Sequence, residues 1–294
     1  MKEFPLLLRF GCFAGLFVAP LLLRAAEFDQ RLLNLSARAQ AATGDNAPIV
    51  GFVIGEGPAK RVLIRAIGPG MSAIPGIGAT LGNPKLELYA GSTKIAENDN
   101  WTTSSIGGAT GFTAVGAFPL TAGSRDAALL TTLGPGGYTA RVTGVETVSG
   151  VVLLEVYDVT GQARLINLST RAMVGTGAGI LISGVAIAPG GGARKMLVRA
   201  AGPALLGLFP GLPTLADPAI AVIQGATQIA SNNDWGTENT SALNAAFGQS
   251  GAFPFAPGSK DAALMVDLAP GQNYTIHVSG VGNTTGVGPR LRPR

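Results

Sequence analysis

Two short polar segments, each ending in a tryptophan, contain the residues best suited to bind a ligand. They comprise Asn98, Asp99, Asn100 and Trp101 in one case, and Asn232, Asn233, Asp234 and Trp235 in the other. Carboxylate and amide oxygens are the ligands that Ca²⁺ prefers, which predicts a calcium site as one alternative. The other alternative is a turn in which these side chains bond to their own backbone. The aspartate changes place between the segments, which a fixed coordination geometry would resist, so the turn is favoured.

The two tryptophans also allow two interpretations. Exposed rings of Trp101 and Trp235 could stack on sugar faces, which would make the chain a pair of carbohydrate-binding modules. A tryptophan that follows a polar turn can instead fill the end of a core, with its indole N–H donating to a backbone carbonyl. The core interpretation is favoured, and exposure of the rings decides between the two.

The composition argues against catalysis. His277 is the only histidine and Cys12 the only cysteine, which argues against a Ser/His/Asp set, a Cys/His set or a histidine-rich zinc site. His277 lies in an alternating segment, Tyr274–Val278, that directs it outward from a strand. Phosphate-binding and nucleophile-elbow motifs are absent as well. The sequence therefore predicts a protein that is not an enzyme, with no catalytic residues and no cofactor apart from the calcium alternative.

The chain repeats itself. Residues 31–159 return as residues 164–288, beginning with Arg-Leu-Leu-Asn-Leu-Ser at Arg31 and Arg-Leu-Ile-Asn-Leu-Ser at Arg164. Solenoid repeats span roughly 20–50 residues, whereas a unit of this length matches a whole domain of about 100–150 residues. We call residues 31–160 the first half and residues 164–288 the second half. The expected domains are residues 28–160 and residues 164–294.

Short apolar runs separated by glycine and proline predict strands. Tyr138–Val142 alternates between apolar and polar residues, as a half-buried strand does. Pro135-Gly136 and Pro270-Gly271 have the residues of tight hairpin turns. Only Ser104–Thr113 and Thr240–Phe247 suggest short helical turns. The predicted fold is all-β, with two tandem antiparallel β-sandwiches of jelly-roll-like form after an N-terminal signal peptide.

An arginine and an aspartate recur in both halves in apolar surroundings. Arg65 and Arg199 interrupt apolar strands just before a Gly-Pro pair, and Asp126 and Asp261 each follow a Gly-Ser-basic sequence. A charge in a core needs a partner of opposite sign. We therefore expect Arg65–Asp126 and Arg199–Asp261 to be structural ion pairs that specify strand register.

The first residues have the order of a secretory signal peptide. Lys2 and Arg9 precede the apolar run Phe10–Leu23, and small residues follow at Ala25-Ala26. Residues 1–26 are thus expected to be removed, which leaves a chain without cysteine or membrane span. The alternative is a retained membrane anchor, for which the run is short of the roughly 20 residues needed. The expected location is secreted, extracellular or at the cell surface, with the periplasm included.

The alkaline composition does not indicate nucleic-acid binding. The formal net charge is +4. The excess of basic over acidic residues comes from the two ends, from Lys2, Arg9 and Arg24 and from Arg290, Arg292 and Arg294. A protein that tracks phosphates needs clustered lysine and arginine on one face. No such stripe is present in the two halves.

The second half is expected to lack its last strand. The first half closes with Gly150–Asp158, which is almost wholly apolar, whereas Gly286-Val287 is followed by the proline- and arginine-rich residues 288–294. Proline breaks a strand ladder, and buried arginines would need partners. An altered or prematurely ended reading frame is one interpretation. We expect a marginally stable second domain whose open sheet edge pairs with another chain.

The repeated pattern resembles a repeat of large secreted proteins of environmental bacteria. The resemblance rests on Arg-x-x-Asn-x-Ser-x-Arg, Leu-x-Arg-Ala-x-Gly-Pro, Asn-Asp-x-Trp, Gly-Ala-Phe and Pro-Gly-x-Tyr-Thr, and on the closing strand Gly150–Tyr157. Part of each half also resembles bacterial pre-peptidase C-terminal domains, which are jelly-roll-like. Both resemblances imply a non-catalytic secreted or cell-surface module with a structural, adhesive or display role. Its expected partners are extracellular polysaccharide or other surface proteins.

Overall fold

A computed structural model describes residues 32–41, 44, 47–103, 112–145, 149–160 and 163–288. Strands make up 50% of the structure and helices 14%, and the large sheet is antiparallel, which agrees with the all-β prediction. The predicted signal peptide and most of the helical turn predicted at Ser104–Thr113 lie outside the described residues. None of the described helices combines the length and the apolar character needed to cross a membrane.

The strands alternate with tight turns along both halves. The first half contains β1 (Leu32–Ala41), β2 (Ile49–Ile54), β3 (Lys60–Ile67), β4 (Pro84–Ala90), β5 (Thr93–Asn98), β6 (Ala127–Leu133), β7 (Gly136–Gly144) and β8 (Gly150–Thr160). The second half contains β9 (Leu165–Val174), β10 (Leu181–Ile187), β11 (Arg194–Ala200), β12 (Pro218–Gln224), β13 (Thr227–Asn232), β14 (Ala262–Leu268), β15 (Asn273–Gly280) and β16 (Gly286–Gly288). Among the fully described elements, the helices are α1 (Pro203–Leu206) and α2 (Thr240–Ser250), and short 3-10 turns lie at Pro69–Met71, Trp101–Thr103, Gly177–Gly179, Trp235–Thr237 and Val281–Asn283.

Helix α2 begins and ends at residues suited to those places. The Asn239 side chain accepts a hydrogen bond from the Ala242 N–H, which satisfies a donor of the first turn. Gly251 follows the helix with a left-handed backbone, which glycine adopts without strain. Leu243, Ala246 and Phe247 face the protein interior. The turn predicted at Thr240–Phe247 is therefore a longer helix, and it carries an aromatic ring into the core of the second half.

The first strand of each half pairs with a strand of the other half. β1 pairs with β10, with Leu35 opposite Val185, and β9 pairs with β2, with Thr170 opposite Val50. Both pairings are antiparallel. Strand pairing therefore crosses the boundary that the sequence predicts near residue 160.

A serine beside a glycine allows the close approach at both crossings. A side chain at Gly51 would place its Cβ 2.5 Å from the Ser169 hydroxyl, and one at Gly184 would lie 2.4 Å from the Ser36 hydroxyl. Real Cβ atoms do not approach so closely, so a side chain at either position would force the serine hydroxyl to move. The serine of the repeated Arg-x-x-Asn-x-Ser pattern is thus matched to a glycine in the other half.

The exchanged strands join most of the strands into one antiparallel sheet. β1 also pairs with β8, β8 with β3, and β3 with β6. β7, β4 and β5 continue from β2, and β15, β12 and β13 continue from β10. In the second half, β16 pairs with β9, whereas β11 and β14 form a separate two-stranded sheet. In the first half, β8 connects β1 to β3. No described strand makes the corresponding connection between β9 and β11 in the second half.

The apolar side chains form three buried clusters. The largest draws on strands of both halves, including Leu35, Phe52, Val156, Val185 and Ile276. Each half also has a smaller cluster, which lies on the other face of β3 in the first half and of β11 in the second. These contain Leu63, Trp101 and Phe112 in the first half, and Leu197, Trp235 and Phe247 in the second.

We expect that neither half folds independently in its present form. The first half alone loses the β10 and β9 neighbours of β1 and β2. Leu32 and Leu35 are buried on β1, and exposing each costs about 1.5–3 kcal/mol. Residues 27–160 and 163–294, expressed separately, should therefore show weak or absent cooperative unfolding by circular dichroism.

Mixing the two fragments should restore a 1:1 complex in native mass spectrometry. A variant pair with Gly51→Val in the first fragment is the matched control, and it should assemble poorly. Two stable monomeric fragments that do not associate would contradict the exchange of first strands.

Candidate functional site

Asp126 fixes the turn that follows β3. Its carboxylate is fully buried, and Oδ1 accepts hydrogen bonds from the backbone N–H groups of Gly68 at 2.8 Å and Gly70 at 3.1 Å. The Ser124 hydroxyl donates to Oδ2 at 2.6 Å. Asp261 accepts the three matching bonds in the second half, from Gly202, Ala204 and Ser259. Each aspartate therefore satisfies buried backbone donors, which explains its recurrence without a ligand.

The glycine of the Gly-Pro pair in the same turn is required sterically. A Cβ atom at Gly68 would lie 1.9 Å from the Leu81 carbonyl oxygen, and one at Gly202 would lie 1.9 Å from that of Leu215. No side chain can be accommodated at that distance. The Arg-Ala-x-Gly-Pro pattern thus encodes a turn packed against backbone.

The predicted pairing of Arg65 with Asp126 is wrong. Arg65 instead donates from Nε and from one terminal nitrogen to Glu155 on β8, at 2.8 Å and 2.5 Å. Asp126 is occupied by backbone N–H groups and a hydroxyl, and Asp261 likewise makes no bond to Arg199. The prediction failed because it considered only acids present in both halves, and Glu155 is present in the first alone.

Aromatic rings surround the Arg65 guanidinium. Its second terminal nitrogen donates to the Phe118 carbonyl at 2.6 Å, and its central carbon lies 4.5 Å from the Phe118 ring centre. The rings of Phe112 and Tyr157 lie at 5.0 Å and 5.6 Å. Burial, followed by the negative charge of Glu155, raises the pKa of the Tyr157 hydroxyl, which donates to that carboxylate at 2.9 Å. The charge is therefore held by an acid, a carbonyl and aromatic faces.

Arg199 occupies the matching place in the second half. It donates to the Phe253 carbonyl at 2.6 Å and lies over three rings, those of Phe247, Phe253 and Phe255, at 4.3, 4.6 and 4.0 Å. The residue that matches Glu155 by sequence is Leu291, which lies outside the described residues. The two halves thus share the aromatic surroundings of the arginine but differ in the acid.

A second buried ion pair joins β3 to β8, and the sequence analysis missed it. The Lys60 ammonium lies 2.6 Å from the Asp158 carboxylate, and both side chains are almost fully buried. An acid inside the apolar run Val151–Val159 was the available signal, because a buried carboxylate needs a basic partner. Glu155 lies in the same apolar run, so the sequence also indicated that this acid needs a basic partner.

The asparagines of the polar segments connect each turn to a neighbouring strand. The Asn98 amide donates to the Asn100 carbonyl at 3.0 Å and accepts from the Ala128 N–H at 2.9 Å. Asn232 makes the corresponding bonds to the Asp234 carbonyl and the Ala263 N–H, each at 3.0 Å. Both ends of each amide are therefore used in holding the backbone.

Three of the other candidate calcium ligands form bonds within the protein. Asp99 accepts from the Asn100 amide at 3.2 Å, and Asp234 lies 3.0 Å from the Lys260 ammonium. Asn233 is exposed. Within the part of the chain that the structure describes, no group of three or more His, Cys, Asp or Glu side chains could hold a metal ion.

Both tryptophan rings lie in the core. Trp101 is 8% exposed and Trp235 is 3% exposed. The indole N–H of Trp101 donates to the Ser124 hydroxyl at 3.1 Å, and that of Trp235 donates to the Ala256 carbonyl at 3.3 Å. Phe112 and Phe247 pack against the two rings at 5.6 Å and 6.0 Å. The rings are therefore buried, as the favoured core interpretation expects, and are not available for the sugar stacking that was the alternative.

The single histidine is half-buried on β15. Its ring lies 3.2 Å from the Thr275 hydroxyl, and burial, followed by the positive charge of Arg38, lowers its pKa. Taken together, the recurring aspartates and asparagines singled out by sequence accept hydrogen bonds from backbone N–H groups, and Arg65 forms a buried ion pair. These are structural roles.

No protein-family model matches the chain, and no curated protein is significantly similar to it.

The Glu155→Gln variant should be strongly destabilised. Glutamine leaves the buried Arg65 charge without its acid, and breaking a buried pair typically costs about 3–5 kcal/mol. Urea unfolding followed by tryptophan fluorescence measures the change. The matched control is Glu97→Gln, which removes the exposed pair with Lys94 and should leave the midpoint unchanged. Equal effects of the two substitutions would show that the buried pair is not important for stability.

Proposed function

We propose that the chain is a non-catalytic secreted or cell-surface protein with a structural, adhesive or display role. In this proposal its two halves are antiparallel β-sandwiches of jelly-roll-like form that exchange their first strands. The observation that carries the proposal is the use of the recurring polar residues. Asp126 and Asp261 hold backbone N–H groups, and Asn98 and Asn232 bridge a turn to a strand.

Residues that recur in a duplicated chain indicate what both copies need. Here the recurring aspartates and asparagines form hydrogen bonds inside the protein, and the arrangement is the same in each half. The exchanged first strands add a further constraint, because they tie the halves to each other along β1 and β9. A linked pair of this kind suits a part that bears load or spaces other domains outside the cell.

Burial of the tryptophans favours this proposal over a carbohydrate-binding module pair. A ring that stacks on a sugar must offer one face to solvent, whereas Trp101 and Trp235 contact Phe112 and Phe247 instead. Each indole N–H is also used by a protein acceptor. The rings therefore contribute to the core of each half.

The N-terminal sequence supports export. Lys2 and Arg9 precede the apolar run Phe10–Leu23, which has the order of a signal peptide. Export would bring the protein to a compartment where it meets polysaccharides and other surface proteins. The absence of cysteine beyond Cys12 makes its folding independent of disulfide formation.

The tryptophan environment provides a direct test of the role. Acrylamide should quench the emission of the purified protein several-fold less than that of N-acetyltryptophanamide. Soluble sugars should produce no saturable change in the tryptophan emission, because neither ring is available for stacking. The single variants Trp101→Phe and Trp235→Phe identify the emitting ring. A saturable shift in emission with a sugar would instead support the carbohydrate-binding function.

Export can be tested in a bacterial host that carries the chain with its own first residues. The protein should appear outside the cytoplasm, and N-terminal sequencing should find a start near residue 27. Deletion of Phe10–Leu23 is the control and should retain the protein in the cytoplasm. Recovery of the uncleaved chain in the membrane fraction would favour the anchor alternative.

A further inference from the structure

The sheet face that is turned away from the core differs between the two halves, although its strands pair in the same register. Five positions on this face hold charged residues in the first half and smaller residues in the second. In the first half they are Lys85 and Glu87 on β4, Lys94 and Glu97 on β5, and Arg141 on β7. The matching residues of the second half are Ala219 and Ala221 on β12, Gln228 and Ser231 on β13, and His277 on β15. The two faces can therefore be compared position by position.

In the first half the charged side chains cover this face with ion pairs. The Lys94 ammonium lies 2.5 Å from the Glu97 carboxylate and 3.4 Å from that of Glu87. Lys85 lies 3.2 Å from Glu97, and Arg141 lies 3.9 Å from Glu87. Each cation thus has an acid of the same face as its partner. The long side chains of the first half complete one another across three strands.

In the second half the shorter side chains leave a groove on the same face. The groove has a volume of about 460 Å³. Ala219 and Ala221 lie along its middle, because β12 is the central strand of the three. Polar side chains lie on both sides of them, with Gln228, Ser231 and Asn233 at β13 and with His277 and Ser279 on β15. We call this space the β12 groove.

Asn232 fixes one end of the β12 groove. Its amide donates to the Thr237 hydroxyl at 3.2 Å and lies 3.5 Å from the Glu238 carboxylate. The Asn232 side chain also accepts the hydrogen bond from the Ala263 N–H, and the residue is 8% exposed. A buried residue therefore positions two polar groups that line the groove. Groups that are already in place lose less conformational entropy when a ligand binds.

The lining of the groove indicates the chemistry of a ligand. Its amides, hydroxyls and carboxylate both donate and accept hydrogen bonds, as the hydroxyl groups of a ligand do. Between them, Ala219 and Ala221 offer only methyl groups, which suit a flat apolar surface. A sugar ring combines these properties, because its faces carry C–H groups and its edge carries hydroxyls. The groove is therefore complementary to a saccharide.

The charges of the lining favour an uncharged saccharide. Burial, followed by the positive charge of Arg38, lowers the pKa of His277, so its ring is neutral at pH 7. A neutral imidazole offers one donor and one acceptor. Among the described residues that line the groove, Glu238 then carries the charge, and its carboxylate would repel an acidic sugar. A neutral sugar meets no such repulsion and can donate a hydroxyl to the same carboxylate.

We propose that the β12 groove binds a neutral polysaccharide. A sugar ring lies over Ala219 and Ala221, and its hydroxyls bond to the polar side chains of β13 and β15. The site belongs to the second half, since ion pairs cover the matching face of the first. It is distinct from stacking on Trp101 and Trp235, whose rings are buried. This inference rests on the proposed adhesive role, and it specifies the class of surface molecule that the chain binds.

The single histidine is a direct probe of the β12 groove. The NMR signals of the His277 ring are followed in the purified protein, prepared without a histidine tag, while neutral oligosaccharides are added. The probes are cellohexaose, maltohexaose, mannohexaose and xylohexaose, together with the neutral members of a glycan array. At least one should bind and shift the His277 signals saturably. The tryptophan emission should stay unchanged, because both rings lie in the core.

Filling the groove with the residues of the first half tests its location. The double variant Ala219→Lys, Ala221→Glu should lower the affinity about tenfold or more, because the longer side chains occupy the place of the sugar ring. The first half carries the same residues at the matching places, so the circular dichroism spectrum and the Tm should be unchanged.

A matched pair of hydroxyl deletions tests the polar side of the groove. Ser279→Ala should weaken binding several-fold, because one hydrogen bond to the sugar is lost. Thr143 takes the place of Ser279 in the first half, opposite Lys85 rather than Ala219. Thr143→Ala should therefore leave the affinity unchanged.

The same measurements show how the proposal would be wrong. Equal binding by the native protein and the filled variant would place the site elsewhere. Tighter binding of an acidic oligosaccharide such as alginate would contradict the charge argument. A sugar that changes the tryptophan emission but not the His277 signals would support stacking instead. If no neutral glycan binds, the groove is not a saccharide site, whereas the tests of export and of tryptophan burial keep their own outcomes.

Discussion

The exchange of first strands is the constraint on which the rest of the structure depends. β1 is the neighbour of β10 on one side and of β8 on the other, and β9 is the neighbour of β2 and β16. Without this exchange the strands of the two halves would not belong to one sheet. Ser36 and Ser169 lie against glycines of the opposite half at both crossings, so the exchange relies on small residues at two points. Folding therefore needs pairings between residues that are more than 100 positions apart, which is entropically demanding and slow.

Buried charges then fix how β8 lies on β3. Removing an arginine from water costs several kcal/mol, and the structure offsets this by giving Arg65 a carboxylate, a carbonyl and three ring faces. A shift of β8 by one residue would direct Glu155 to the opposite face of the sheet, away from Arg65. The Lys60–Asp158 pair imposes the same register from the other face. The ion pairs thus specify one alignment of two strands that apolar packing alone would leave freer to slide.

The sequence predicted the local features well and the long-range ones poorly. Alternation and Pro-Gly turns gave the strand content, and the polar segments before Trp101 and Trp235 are turns held by Asn98 and Asn232, as local side-chain chemistry favours. The partner of β1 could not be predicted, because β2 and β10 carry equivalent patterns and differ only in which half contains them. The partner of Arg65 was missed because recurrence in both halves was taken as the mark of an ion pair. An acid in the apolar strand β8 was the better signal, since burial is what makes a partner necessary.

The difference between the halves lies in one strand. The bonds of Asp126, Asn98 and the aromatic surroundings of Arg65 all have counterparts in the second half, so the turn structure does not depend on the last strand. The last strand does matter for how the first strand of a half is connected to β3, or to β11 in the second half. In the first half β8 carries that link through its backbone on both edges and through Glu155 and Asp158. In the second half β11 and β14 keep their turn and their aromatic cluster but are separate from the main sheet among the described residues. Among the described residues, the two copies thus keep the same turn and aromatic contacts while the strand pairing of β3 differs from that of β11.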